Sequence, residues 1–276
     1  KIGIWAVAAS IAYLAVWIIR HGHVGRLWRG GGSGGSFWLG VDLVIALTVS
    51  WVPLVADYTR FSRGRRSAFL GAGLGYLFPT LFQFGFGAIL VLSHPSIGGP
   101  ADVLTTVAAG GVGSILALLA LTVDETDEAF ANIYSTAVSL QNYLPRVSQR
   151  LLITIVAVVA TAISLGIDLT QYQQFLLLLG AFFVPLFGVL LADWLAAGRH
   201  YTRDHVFGGP LWRPGMIAAW LAGFALYEWL AQTQGLGFWT RLLSHLHPPH
   251  GGIGASLPSF GLAFVLALAV ARTQRH

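Results

Sequence analysis

The residues with the most chemistry in this chain are Thr122-Val123-Asp124-Glu125-Thr126-Asp127-Glu128-Ala129-Phe130-Ala131-Asn132, in which four carboxylates crowd an otherwise apolar stretch. Leucine- and alanine-rich sequence runs from Ser114 to Leu121 before them, and helix-compatible sequence continues to Tyr143 after them. A carboxylate at bilayer depth costs roughly 3 kcal/mol or more unless it is paired, protonated or wetted by a cavity. On a helix, residues three, four, seven, eight and eleven apart share a face. From Asp124 that rule selects Asp127, Glu128, Ala131, Asn132 and Ser135, leaving Glu125, Thr126 and Tyr134 off the stripe. Such a stripe offers oxygen ligands to a cation. It also offers a carboxylate to the edge of a 4-aminopyrimidine, where a ring nitrogen stands beside an exocyclic amine and a two-pronged pair forms if a proton is shared. Two other readings stay open at this point. The acids could lie in an extracellular loop, with the span starting at Ala129. Alternatively, Asp124, Asp127 and Glu128 could hold magnesium in a membrane enzyme acting on a lipid phosphate. That chemistry usually needs a second acidic cluster, whereas Asp42, Asp57, Asp102, Asp168, Asp193, Asp204 and Glu228 are all isolated along the sequence.

A second group surrounds Pro53. Trp38 to Thr48 reads as a helix, followed by Ser50-Trp51-Val52-Pro53 and then Leu54-Val55-Ala56-Asp57-Tyr58-Thr59-Arg60-Phe61. Proline disrupts a helix interior but suits the first turn of a new helix. The spacing therefore predicts two half-helices, with the backbone of Ser50, Trp51 and Val52 left free. Unwound backbone in a membrane is tolerated only where it lines a cavity or is buried in protein. Broken helices of this kind build substrate sites in transporters. A plain proline kink is the alternative. Asp57 and Arg60 stand one turn apart, as an interfacial ion pair or as part of an inner gate.

The elements that must carry these residues are membrane spans. The chain is 55% hydrophobic and 10% charged, with a mean hydropathy of +0.70, against about 25% charged in a soluble domain. A span needs about 20 mostly apolar residues. Eight stretches qualify, at 2–19, 37–60, 67–93, 114–143, 151–167, 171–195, 214–233 and 257–272. The expected fold is an all-α polytopic membrane protein, a single transmembrane domain over 1–276 that meets the lipid bilayer on its outer faces. The net charge of +5 is carried by arginines in short loops, where membrane topology explains it and nucleic acid need not. With both ends in the cytoplasm, that side holds Lys1, Arg60, Arg63, Arg65, Arg66, Arg146, Arg150, Arg199, Arg203, Arg213, Arg272 and Arg275. The outside holds only Arg20, Arg26, Arg29 and Arg241, of which the first three form the one discordant loop. The localisation that follows is a multi-pass protein of the cell (inner) membrane. The absence of cysteine excludes disulfides and thiolate metal sites.

Smaller signals have plain readings. Gly30-Gly31-Gly32-Ser33-Gly34-Gly35-Ser36 reads as a flexible linker. His245-Leu246-His247-Pro248-Pro249-His250 reads as a wet loop rather than a metal site. Gly71-Ala72-Gly73-Leu74-Gly75 reads as close helix packing. Gln171, Gln173 and Gln174 read as interface residues. The chain begins at Lys1 inside an apolar segment, which reads as a fragment lacking an N-terminal part.

The two motifs carry a resemblance. Ser50 to Phe61 resembles the sixth-span signature of the nucleobase:cation symporter family 1. It looks most similar to the purine/cytosine permease branch and its hydroxymethylpyrimidine transporters. Asp127 to Ser135 resembles the eighth span of the same group. The resemblance extends through about Trp194. It implies part of a five-plus-five inverted-repeat (LeuT-like) fold, here spans five to twelve, with spans one to four absent and needed for a complete site and for transport. It implies a secondary active symporter rather than an enzyme, importing a heterocycle such as hydroxymethylpyrimidine or cytosine, with no cofactor and Na+ or H+ as the coupling ion. Carried over by position, Ser50, Trp51 and Asn132 bind substrate, Trp51 as the stacking ring. In the hydantoin and allantoin branch, the stacking tryptophan instead stands where Thr48 is here. Glu128 replaces a neutral residue of some relatives and suggests an amine-bearing substrate. Thr126 and Asp127 match the two hydroxyl residues of the sodium site. An Asp at the second position can bind sodium or carry a proton.

Overall fold

The computed structural model describes residues 2–30, 36–166, 169–210, 212–231, 241–242, 245 and 252–273. The expected glycine linker over 31–35 and the histidine loop beyond His245 lie outside the described residues. Every regular element among the described residues is helical: α1 (Ile2–His21), α2 (Val24–Arg29), α3 (Phe37–Val49), a 3-10 turn (Val52–Leu54), α4 (Val55–Thr59), α5 (Arg65–Ser93), α6 (Pro100–Ala108), α7 (Val112–Tyr143), α8 (Gln149–Ser164), α9 (Leu169–Ala196), α10 (Arg203–Phe207), α11 (Pro214–Ala231) and α12 (Ser256–Thr273). A helix stands on each of the eight expected spans. Among the described residues, four stretches are long and apolar enough to cross a membrane: Phe37–Leu54, Arg65–Ser93, Phe175–Ala196 and Ser256–Thr273. The chain is an all-α polytopic membrane protein.

The distribution of side chains fits lipid as solvent. Large apolar residues such as Phe69, Phe78, Leu81, Phe82, Val158 and Ile163 point outward, whereas many of the buried positions are small, among them Ala46, Ala117, Ala137, Ala181, Ala192, Ala263 and Ala267, with Tyr227 and Glu228 as large exceptions. Between membrane helices the driving force is close van der Waals packing, which small residues permit.

The chain divides into two compact units, residues 1–31 with 74–170, and residues 32–73 with 171–276. In the first, α7 packs against α1, α6 and α8. Its N-terminal glycines admit two aromatics of α1. A Cβ on Gly113 would overlap the Tyr13 hydroxyl, and one on Gly110 would lie 2.7 Å from the Trp17 ring. In the second unit, α11 lies along α12, and Val189 and Ala192 of α9 join Met216 and Ala219 of α11 and Ala263, Ala267 and Ala271 of α12 in one cluster. Val49 of α3 joins Ala181 and Val184 of α9, Tyr227 of α11 and Ala255 in another. Backbones approach closely here: a Cβ on Gly188 would lie 2.7 Å from the Phe260 carbonyl oxygen, and one on Gly223 would lie 2.6 Å from the Cβ of Pro185.

The glycine pattern on α5 is not part of this packing. A Cβ built on Gly71, Gly73 or Gly75 would meet nothing within 4 Å. The expected close packing is therefore absent at these three positions, and the tight glycine contacts fall instead on α7, α9 and α11.

Candidate functional site

The acidic run lies in one uninterrupted helix. Gly111, with φ of +99°, starts α7 after a short turn, and the helix runs 32 residues to Tyr143. At 1.5 Å per residue that is about 48 Å, and its midpoint falls between Asp127 and Glu128. The acids from Asp124 to Glu128 are thus more than three turns from either end, not in an extracellular loop ahead of a span starting at Ala129. Asp124 and Asp127 are described in their backbone only. Glu128 and Asn132 are exposed, while Ala131 and Ser135 are half-buried. The threonine hydroxyls donate back to the helix: Thr122 to the Leu118 carbonyl at 2.9 Å, Thr126 to Val123 at 2.6 Å and Thr136 to Asn132 at 2.8 Å. With its proton so placed, a hydroxyl presents only lone pairs outward, which is the donor set a sodium ion takes. Tyr76 of α5 belongs to the same unit as Glu128. Tyr76 was not singled out from the sequence, where it is one aromatic among many in an apolar span.

The second candidate span is interrupted where the proline predicts, but more tightly. α3 ends at Val49, and Ser50 and Trp51 keep right-handed helical dihedrals before the 3-10 turn with Pro53. The Trp51 N–H donates to the Thr48 carbonyl at 3.2 Å, and the Trp51 carbonyl accepts from Leu54 N–H at 3.0 Å. The Ser50 hydroxyl donates to the Leu47 carbonyl at 2.8 Å. The expectation of an unwound stretch with the backbone of Ser50, Trp51 and Val52 free is corrected. The chain answers the missing proline N–H by tightening to 3-10 geometry, which keeps the Trp51 backbone paired. Trp51 is half-buried. Arg60 lies over the Phe61 ring, 4.7 Å from its centroid, a cation–π contact. Asp57, its expected partner, is described in its backbone only.

Ser50, Trp51, Asp57 and Arg60 belong to the unit of residues 32–73 and 171–276, and Thr126, Asp127, Glu128 and Asn132 to the other.

Three acids that are isolated along the sequence have structural partners. Asp42 on α3 accepts from the Ser256 N–H at 2.6 Å, at the start of α12. Asp102 accepts from the N–H groups of Gly98 and Gly99 at 2.8 and 3.0 Å, closing the turn before α6. Asp193 at the end of α9 accepts from Arg213 at 2.7 Å and from the Tyr201 hydroxyl at 2.9 Å. Burial, followed by the hydrogen bond and the charge of Asp193, raises the Tyr201 hydroxyl well above its ordinary value of 10.0, with Arg213 opposing.

No curated protein and no solved structure matches the chain. The sequence model of one family, described as permease for cytosine/purines, uracil, thiamine, allantoin, matches residues 2–243. With its acid-centred helix and its proline-interrupted span, the chain belongs to this family of permeases.

Proposed function

We propose that the protein is a cation-coupled symporter of the cell (inner) membrane, with both ends of the chain cytoplasmic, that imports an aminopyrimidine such as hydroxymethylpyrimidine or cytosine. The observation that carries the reading is a carboxylate run at the midpoint of a single continuous helix in a permease chain. Ionised groups at that depth are retained where they bind a cation or a polar solute. Glu128 takes the substrate's ring nitrogen and exocyclic amine, and Asn132, one turn further on, supplies an amide to its remaining polar edge. By position in the family, Ser50 and Trp51 of the interrupted span are the other residues assigned to substrate, Trp51 as the stacking ring. Thr126 and Asp127 bind the coupling ion, Na+ in the first instance and H+ through Asp127 as the second reading. Asp57 and Arg60 form the inner gate. The spans follow a five-plus-five inverted repeat.

Uptake of labelled hydroxymethylpyrimidine or cytosine by the gene product in proteoliposomes, under an imposed Na+ gradient and then a proton gradient, tests this. Gradient-driven uptake that Glu128→Gln lowers at least a hundredfold supports the assignment. That magnitude corresponds to losing a charge-assisted hydrogen-bonded pair, about 3 kcal/mol. Uptake indifferent to Glu128→Gln removes Glu128 from the substrate contact.

A further inference from the structure

We propose that α2 forms a binding site for the phosphate of an anionic phospholipid headgroup, held between Arg26 and Arg29. The two arginines are one turn apart on the same short helix. With Gly25 and Gly30 they line an open cleft of about 500 Å³. Among the described residues, nothing lies within 4 Å of a Cβ built on Gly25, so the cleft is open at that position. Among the described residues neither arginine has an ion-pair partner, and no Asp or Glu occurs before Asp42. Two guanidinium forks facing one cleft suit a tetrahedral oxyanion, because each can give two parallel N–H donors to it.

Why a lipid and not another anion follows from where the helix stands and what lies beside the arginines. α2 directly follows α1, the first apolar helix, and Trp28 between the two arginines is 89% exposed. Tryptophan with flanking arginine is the composition of the headgroup layer. The corner that places α2 there is fixed. Gly22 packs so closely on α5 that a Cβ would lie 2.6 Å from Ile89, and its carbonyl accepts from the Ser93 hydroxyl. His23, with φ of 44° and ψ of 40°, then breaks the α1 axis, and its carbonyl accepts from Arg26 and Leu27 N–H to start the new helix. The same assignment gives a reason for two of the three arginines that violate the charge asymmetry of the other loops: Arg26 and Arg29 face lipid phosphates instead of setting topology.

The test is a titration of the detergent-purified chain with phosphatidylglycerol and with phosphatidylcholine, read by native mass spectrometry. The wild type is expected to retain phosphatidylglycerol in preference to phosphatidylcholine. Each basic residue near a lipid surface is worth about 1 kcal/mol, or roughly fivefold. The double substitution Arg26→Ala, Arg29→Ala should therefore lower phosphatidylglycerol affinity by about thirtyfold, and Arg26→Lys, Arg29→Lys should restore most of it. A second measurement does not depend on those variants. Brominated phosphatidylglycerol should quench tryptophan fluorescence more than brominated phosphatidylcholine does, and Trp28→Phe should remove the excess. Equal phosphatidylglycerol affinity in the wild type and the alanine variant, or equal quenching by the two lipids, overturns the proposal. Competition by inorganic phosphate or an acidic peptide at the affinity of the lipid would make the site a general anion or protein contact and overturns the lipid assignment.

Discussion

At Thr126 the hydroxyl proton is already held by the Val123 carbonyl, so the side chain has only oxygen lone pairs to give outward. Its neighbour Asp127 can give lone pairs or carry a proton. The two substitutions therefore separate the coupling ions. If sodium drives uptake, Thr126→Val should raise the half-saturating Na+ concentration about tenfold and Thr126→Ser should preserve it, checked by uptake against Na+ concentration. If protons drive it, Thr126→Val should leave uptake near wild type while Asp127→Asn abolishes the response to a pH gradient. These acids were legible from composition alone, because ionised residues are conspicuous in an apolar run. The role of Asp42 was not, because its partner, the Ser256 N–H, is far along the chain.

At the scale of elements, the second unit is tied together by two acids at helix ends. Asp42 caps α12 from α3. Asp42→Ala should lower stability by about 1 kcal/mol, the usual loss on removing a helix cap, and Asp42→Asn should keep most of it. Thermal unfolding in detergent measures both. The turn after α9 is held by Asp193, which binds Arg213 and Tyr201 together. Because the folded state raises the Tyr201 hydroxyl above 10.0, it binds that proton more tightly than the unfolded chain does. This contribution is complete below pH 10 and is lost as pH rises above it. Tyr201→Phe should flatten the alkaline limb of a stability–pH curve. Helix positions were readable because each span is a long apolar run with charged or glycine-rich ends. The form of the interruption at Pro53 was not. Proline specifies that a hydrogen bond is missing, while the choice between an unwound stretch and a 3-10 turn depends on packing, here on Val49 and Val52 against the cluster of Tyr227 and Ala255.

At the scale of the whole molecule, the arginine asymmetry predicts an orientation that a chain without cysteine makes simple to measure. Single cysteines at Arg63 and Arg146 should react with a membrane-impermeant maleimide only after the inner face is opened, and one at Trp28 should react from the outside in intact cells. The class of fold was legible because solvent is the first thing a composition reports. The division into two units was not, since it pairs residues 1–31 with 74–170 across the second span, and no local pattern encodes such a pairing. The continuous α7 has a consequence for how the protein is made. It is absent from the helices apolar enough to cross by themselves, and an acid at a helix centre costs the translocon about 3 kcal/mol. Four of them outweigh the leucines and alanines around them. A helix so loaded is expected to enter lipid together with the helices it packs on, α1, α6 and α8, so that a chain cut after Tyr143 should insert α7 less completely than one carried on through α8, as read by glycosylation mapping.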